Sequence, residues 1–311
     1  MDYIQRMREL NISFQRLDEA AASEIMETRF SFFSLLEYGA LFDRYRGTDR
    51  QGQFVALDFS QLYALAQLDE KLRCIVLTQC LELEHTLKTI LVNRVYSTGE
   101  SCAVLAGFIR ADREYLLRVY TPDNSDIIAE KYGVSSIEEL SFPQFLDVIH
   151  FGTLPHLWSF IGQSYPGLLE GYEGPAFLNH IVSVKRIRNM AAHNIALLSQ
   201  LPVKCENRTH DVSVFLSRNG IKNKTLHTNM TKAFVNDYCA LLHLYHLIQP
   251  PEKRLACYHE LQSFLSGRCM DAAPLFEDNF LLKSTHAFLC RVIEIYQAAS
   301  SGSCPSPSAE K

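Results

Sequence analysis

The sequence predicts an all-α protein, and three observations carry that prediction. Apolar residues recur at three- and four-residue spacing along most of the chain, the pattern of helices with one buried stripe. The longest such stretch, 59–95, holds no glycine or proline, and another is bounded by Pro175 and Pro202. Alternation, the mark of a half-buried strand, is read at Val212 through Ser217.

Taken in order, a first helix is expected over 17–38, followed by a turn rich in Arg, Asp and Gly between Asp43 and Gly52. The long helix over 59–95 carries its stripe at Leu65, Leu72, Val76, Leu83, Leu87 and Ile90, with Leu68 and Ile75 filling it. Asp58 or Ser60 is placed to cap its start, and Ser97-Thr98-Gly99 ends it. Further helical segments are expected over 125–132, from Ser141-Phe-Pro-Gln144 toward Gly152, and over 154–162. Pro175 opens a helix expected to reach Gln200. The stretch 205–224, with its alternation and an Asn219-Gly220 turn signal, reads as a small hairpin or irregular extended insertion. Helices resume over 228–249, 252–265 and 280–298, and the Ser/Pro-rich tail 300–311 reads as disordered. The expected organisation is one helical domain, 1–299, with a core over 59–200 and C-terminal helices over 228–298.

Composition narrows the function. Of 311 residues, 47% are apolar and 21% charged, enough to bury a core. Thirty Lys+Arg against 35 Asp+Glu give a net charge of -5, so any polyanion must meet a local basic patch. Nine cysteines, an odd number without C-x-x-C pairs, fit reduced thiols better than a disulfide framework or a thiolate zinc site. No signal peptide or bilayer-length apolar run is read, so the expectation is a cytoplasmic protein without a membrane partner. No metal or other cofactor is expected. No nearby Asp, Glu or Cys completes an obvious ligand set with His243, His246 and His259, and His150 and His156 flank a loop that turns into a helix. G-x-S-x-G, P-loop and Rossmann glycine patterns are absent, against hydrolase, kinase and dehydrogenase chemistry.

The chemistry-bearing segment lies in the helix from Pro175. On a wheel of 100° per residue, Val184, Ile187, Ala191, Ile195 and Leu198 form the buried stripe, while Arg186, Asn189 and His193 share the polar side. Arg188 falls at the edge of the stripe, where a guanidinium needs a carboxylate or phosphate. Glu84 on the long helix offers a carboxylate, or instead pairs with Lys88 four residues on. Lys185 and Arg186, just before the motif, either steer phosphate or form a solvated helix face.

The string Arg188-Asn189-Met-Ala-Ala-His193 has the form R-N-x-x-x-H and resembles the signature of HEPN ribonucleases. More of the chain is similar to the abortive-infection (Abi) family of phage-resistance proteins, of the AbiD/AbiF type. Phe30-Ser-Phe-Phe-Ser-Leu-Leu-Glu-Tyr38 with Phe42 resembles its early aromatic segment. Phe59-Ser-Gln-Leu-Tyr63, Leu68-Asp69-Glu-Lys-Leu72-Arg73 and Leu83-Glu84-His-Thr-Leu87-Lys88 resemble its long helix. Phe151-Gly152-Thr153-Leu154 with Leu157-Trp158 resembles its F-G-T-L stretch. The fragments run in the family's order over roughly 25–200. Departures fall after the motif histidine: Asn194 and Ala196 alter the usual continuation, and Ile195 stands where related toxins carry tyrosine.

The resemblance implies a HEPN-type helical bundle with added N- and C-terminal helices, and metal-independent endoribonuclease activity that arrests the host cell. In that reading His193 is the acid or base, Arg188 grips phosphate, and Asn189 orients His193 or the scissile group. Lys185 and Arg186 contact RNA, and Glu84 and Arg73 support the site. It further implies an RNA substrate, a homodimer, and an RNA or protein antitoxin as restraint. The other reading open from the sequence is a non-catalytic HEPN module that binds RNA or protein.

Overall fold

Stripes of apolar residues at helical spacing organise the chain as the sequence leads one to expect, and the fold is all-α. The structure, a computed structural model, describes residues 2–47, 49–119, 128 and 130–301. The chain divides into two compact units, Met1–Gln79 with Arg186–Lys311, and Cys80–Lys185.

In the first unit, α1 (Tyr3–Glu9) starts at Asp2, whose carboxylate accepts from the Gln5 N–H at 3.0 Å. Two short parallel strands, β1 (Ile12–Ser13) and β2 (Leu57–Asp58), set Ile12 opposite Leu57. The helix expected over 17–38 is two helices, α2 (Glu19–Thr28) and α3 (Phe32–Glu37). Ser31 makes the break: its hydroxyl accepts from the Ser34 N–H at 3.2 Å and caps a new helix.

The long helix α4 (Phe59–Tyr96) contributes to both units, changing over after Gln79. Of the two candidate caps it uses Asp58, which accepts from the Ser60 N–H at 3.0 Å and also from Ser13 and Gln15. Leu62, Leu65, Leu72, Val76, Leu83, Leu87 and Leu91 are its buried stripe. Gly99, at φ 72°, stands just past its end and takes the left-handed conformation a side chain would resist.

The second unit continues through α5 (Ser101–Ala111) and α6 (Arg113–Val119). The helix expected over 125–132 lies largely outside the described residues; its end, 130–132, is helical. Ser141 and Gln144 form a capping box that opens α7 (Phe142–Val148), and α8 (Leu154–Ser164) follows a short turn. Phe108, Phe142, Phe145, Leu157 and Ile161 are fully or almost fully buried at its centre. Helix α9 (Pro175–Ala192) leads back into the first unit.

The segment expected as an extended insertion is helical: α10 (His210–Arg218) and α11 (Asn223–Met230). Val212 and Leu216 are both buried four residues apart, a spacing that the short alternating run also satisfies. Asn219-Gly220 closes the helix rather than a hairpin. Gly220 is at φ 99°, and the Ile221 N–H bonds to the Leu216 carbonyl at 3.1 Å, as in a Schellman end. Then follow α12 (Ala233–Ile248), α13 (Pro251–Ser266), α14 (Arg268–Ala272) and α15 (Phe280–Ser300). Every residue of α12 from Phe234 to Tyr245 is buried, which makes it the central helix of this unit. Ser300, where the tail is expected to begin, is still helical; the rest of that expectation, 302–311, lies outside the described residues. Among the described residues no helix is long and apolar enough to cross a membrane.

Candidate functional site

Helix α9 ends earlier than its apolar pattern suggests, and the ending shapes the site. Ile181, Val184, Ile187 and Ala191 are buried, but the helix stops at Ala192. Asn194 takes φ 56°, the Ile195 N–H bonds to the Met190 carbonyl at 2.9 Å, and the Asn194 N–H bonds to Ala191 at 3.3 Å. This is a Schellman end with asparagine in the left-handed position. Ile195 is therefore turned out, 42% exposed, and does not extend the stripe; Leu198 is half-buried on a separate 3-10 turn, Leu198–Gln200. His193 is the exposed cap residue, and its N–H still bonds to the Asn189 carbonyl at 3.0 Å. Asn189 and His193 thus remain one helical turn apart.

Arg188 is half-buried, and its Nη1 donates to the Asn189 side-chain oxygen at 3.3 Å. It pairs with no carboxylate among the described residues. Of the two partners the sequence leaves open for Glu84, Lys88 is the one it binds, at 2.9 Å. The i, i+4 alternative accounts for it.

Arg186 is differently placed. Its Nε and Nη2 donate to the two oxygens of Asp237 on α12, at 2.9 and 2.6 Å, and this pairing holds its pKa above the usual arginine value. A bidentate pair to a nearly buried carboxylate anchors α9 to α12. Lys185 is half-buried; a Cβ at Gly152 would lie 4.0 Å from its Cδ.

Arg73 proves to belong to a network that holds the turn after the motif. It donates to Asp69, one turn earlier on α4, whose side chain is fully buried. Asp69 Oδ1 accepts from the Leu198 N–H at 2.7 Å, so one carboxylate neutralises Arg73 and caps the 3-10 turn. Tyr38, buried at 3% exposure, shares hydrogen bonds with both; burial first, and the Asp69 charge second, push its phenol well above the ordinary tyrosine value. On the apolar side, Leu198 and Leu201 line a cavity of ≈ 330 Å³ with Leu65, Leu68 and Leu72. Asp69 and Tyr38 carry no role that the sequence alone predicts. The signal was present in the i, i+4 spacing of Asp69 and Arg73, since a half-buried arginine calls for a carboxylate one turn away.

His156 and His243 each have a hydrogen-bonding partner and a ring neighbour. His156 Nδ1 lies 3.0 Å from Asp112 and its ring stacks on Tyr115 at 4.1 Å. His243 Nδ1 lies 3.0 Å from the Tyr296 hydroxyl, within an aromatic group that includes Phe215. His246 is pushed down to about 4 by burial and the Arg254 charge.

The family model described as Abi-like protein matches residues 28–199. No curated protein and no solved structure matches the chain. The matched span begins at the end of α2 and closes in the turn that Asp69 caps. It contains Tyr38, Asp69, Arg73, Arg188, Asn189 and His193. With more than half of its residues inside that match, the chain belongs to the Abi-like protein family, the abortive-infection proteins of phage defence.

Proposed function

We propose that this abortive-infection protein is a metal-independent endoribonuclease of the HEPN type, which cleaves RNA at the end of α9 and so arrests growth of the host cell. One observation carries the reading. Arg188, half-buried and without a described carboxylate partner, shares a helix end with the exposed His193. A guanidinium so placed suits a phosphate, and an imidazole, which titrates near pH 6.5 in water, suits proton transfer at neutral pH.

In the reaction a base takes the proton of the ribose 2′-hydroxyl, and the 2′-oxygen forms a bond to the adjacent phosphorus. The bond from phosphorus to the 5′-oxygen breaks, and an acid protonates that oxygen. A 2′,3′-cyclic phosphate and a 5′-hydroxyl result. Arg188 neutralises charge gathering on the phosphate oxygens. Asn189, through its bond to the Arg188 guanidinium, fixes the direction of that charge. DNA lacks the attacking 2′-hydroxyl and is not cut.

In an in-line displacement the attacking 2′-oxygen and the leaving 5′-oxygen lie on opposite sides of the phosphorus, so a base and an acid on two separate groups serve them best. Two copies of the chain, each presenting His193 and Arg188 to a shared cleft, supply both, so the active form is a C2 homodimer. An RNA or protein antitoxin restrains it between infections. The test is expression in a bacterium of the wild type beside Arg188→Ala and His193→Ala, scoring growth and RNA integrity. The wild type should stop growth and fragment RNA, while both variants fold and do neither. Equal growth and intact RNA in all three would sink the assignment and leave a binding module.

A further inference from the structure

We infer that α10 and α11 form a second RNA-contacting surface, a concavity that binds the phosphate backbone beside the motif helix. The inference rests on the ribonuclease reading for its choice of ligand, but its residues lie outside the matched family span.

Three observations carry it. The first is charge. In a chain of net charge -5, the stretch 204–232 holds Lys204, Arg208, Arg218, Lys222, Lys224 and Lys232 against only Glu206 and Asp211. All of these cations but Lys232 are exposed.

The second is shape. Arg208, His210, Arg218, His227, Ser217 and Asn223 line a concavity of ≈ 440 Å³. Among the described residues neither Arg208 nor Arg218 is paired with a carboxylate, in contrast to Arg186. Among the described residues no Phe, Tyr or Trp ring lines it, and Phe215 stacks on Tyr296 at 5.1 Å instead. Cations and hydroxyls without a large aromatic platform suit phosphates rather than bases, so the surface reads backbone and not sequence.

The third is attachment. Thr209, which starts α10, donates from its N–H and hydroxyl to the Asn236 side-chain oxygen at 2.9 and 3.0 Å. Asn236 Nδ2 in turn donates to Asp237 at 3.3 Å, and Asp237 holds Arg186 of α9. A continuous set of hydrogen bonds therefore fixes the basic concavity to the helix that ends in Arg188 and His193. Arg186, which the sequence offered as an RNA contact, does this joining, and Arg208 and Arg218 are the cations left open to phosphate.

The test measures binding of a fluorescent single-stranded 2′-O-methyl RNA, which has no free 2′-hydroxyl and cannot be cut, to the full chain by anisotropy across a salt series. Arg208→Glu with Arg218→Glu should weaken binding at least tenfold. Arg208→Gln with Arg218→Gln, milder at these exposed positions, should lower the slope of log affinity against log salt by about 1.4, for two phosphates at roughly 0.7 each. A single-stranded DNA of the same sequence should bind through this surface as well. Unchanged affinity and slope in either folded double variant would overturn the inference. So would binding of a mononucleotide as tight as that of the oligonucleotide. Cleavage of natural RNA by the wild type is scored separately. Cleavage with the surface variants binding normally sinks this inference alone, whereas salt-dependent binding lost in those variants without wild-type cleavage sinks the ribonuclease reading alone.

Discussion

Arg188 and Arg186 stand two residues apart on one helix and have opposite fates. Arg186 lies on the polar side, yet it reaches Asp237 and is bound through Nε and Nη2; Arg188 lies at the edge of the stripe and donates to an amide oxygen, with no carboxylate partner among the described residues. The wheel placed both side chains on their helix but had no means of seeing α12, 51 residues on, from which Asp237 comes. If Arg188 grips phosphate with its planar fork, a lysine there keeps the charge but loses the paired donors. Arg188→Lys should then lower RNA cleavage roughly tenfold to a hundredfold, the worth of one charged hydrogen bond. Initial rates on a labelled RNA check it; a full-rate lysine variant would mean that point charge alone suffices.

At the scale of elements, the helices were legible because each buried stripe is local, whereas their ends depend on single residues with two meanings. Asn219-Gly220 satisfies a hairpin turn and a helix end equally, since both need a positive φ, and only the burial of Val212 and Leu216 separates them. Asn194 likewise ends α9 at Ala192, three residues before Ile195, the next apolar position that continues its pattern. The network under the motif was half legible: the pair Asp69 and Arg73 is local, but its capping of Leu198, 129 residues on, is not. Removing that carboxylate tests the network. Asp69→Ala leaves Arg73 without its partner and the turn uncapped, and should cost about 3–5 kcal/mol in urea unfolding. A loss below about 1 kcal/mol would show the network to be dispensable.

The cap on α4 gives a pH dependence of known sign. Burial works to raise the Asp58 carboxyl, but donors from Ser60, Gln15 and Ser13 outweigh it and hold it below the usual aspartate value. Its contribution is therefore present above about pH 3.9, where the unfolded carboxyl titrates, and is lost as pH falls through the folded value. Asp58→Ala should cost about 1 kcal/mol at pH 7 and make less difference in acid. Urea midpoints of both proteins at the two pH values check this; a constant gap would place the effect elsewhere.

For the whole molecule, a net charge of -5 becomes an uneven distribution, with a basic segment at 204–232 pinned beside the motif helix. The remaining requirement is a second acid–base group, and the dimer is proposed to meet it. If a cleft needs His193 from one copy and the partner's His193 as well, mixed dimers with His193→Ala are dead. Equal mixing of exchanging wild type and variant leaves about a quarter of the dimers wild type, so cleavage should fall to about a quarter of that of the wild type alone at the same total chain concentration. Self-sufficient sites in each copy would leave about half. Measuring cleavage across mixing ratios, with size-exclusion chromatography to confirm exchange, distinguishes a squared dependence on the wild-type fraction from a linear one. A linear dependence, or full activity in a species that elutes as a monomer, would place both proton transfers within one chain and require a second group there beside His193.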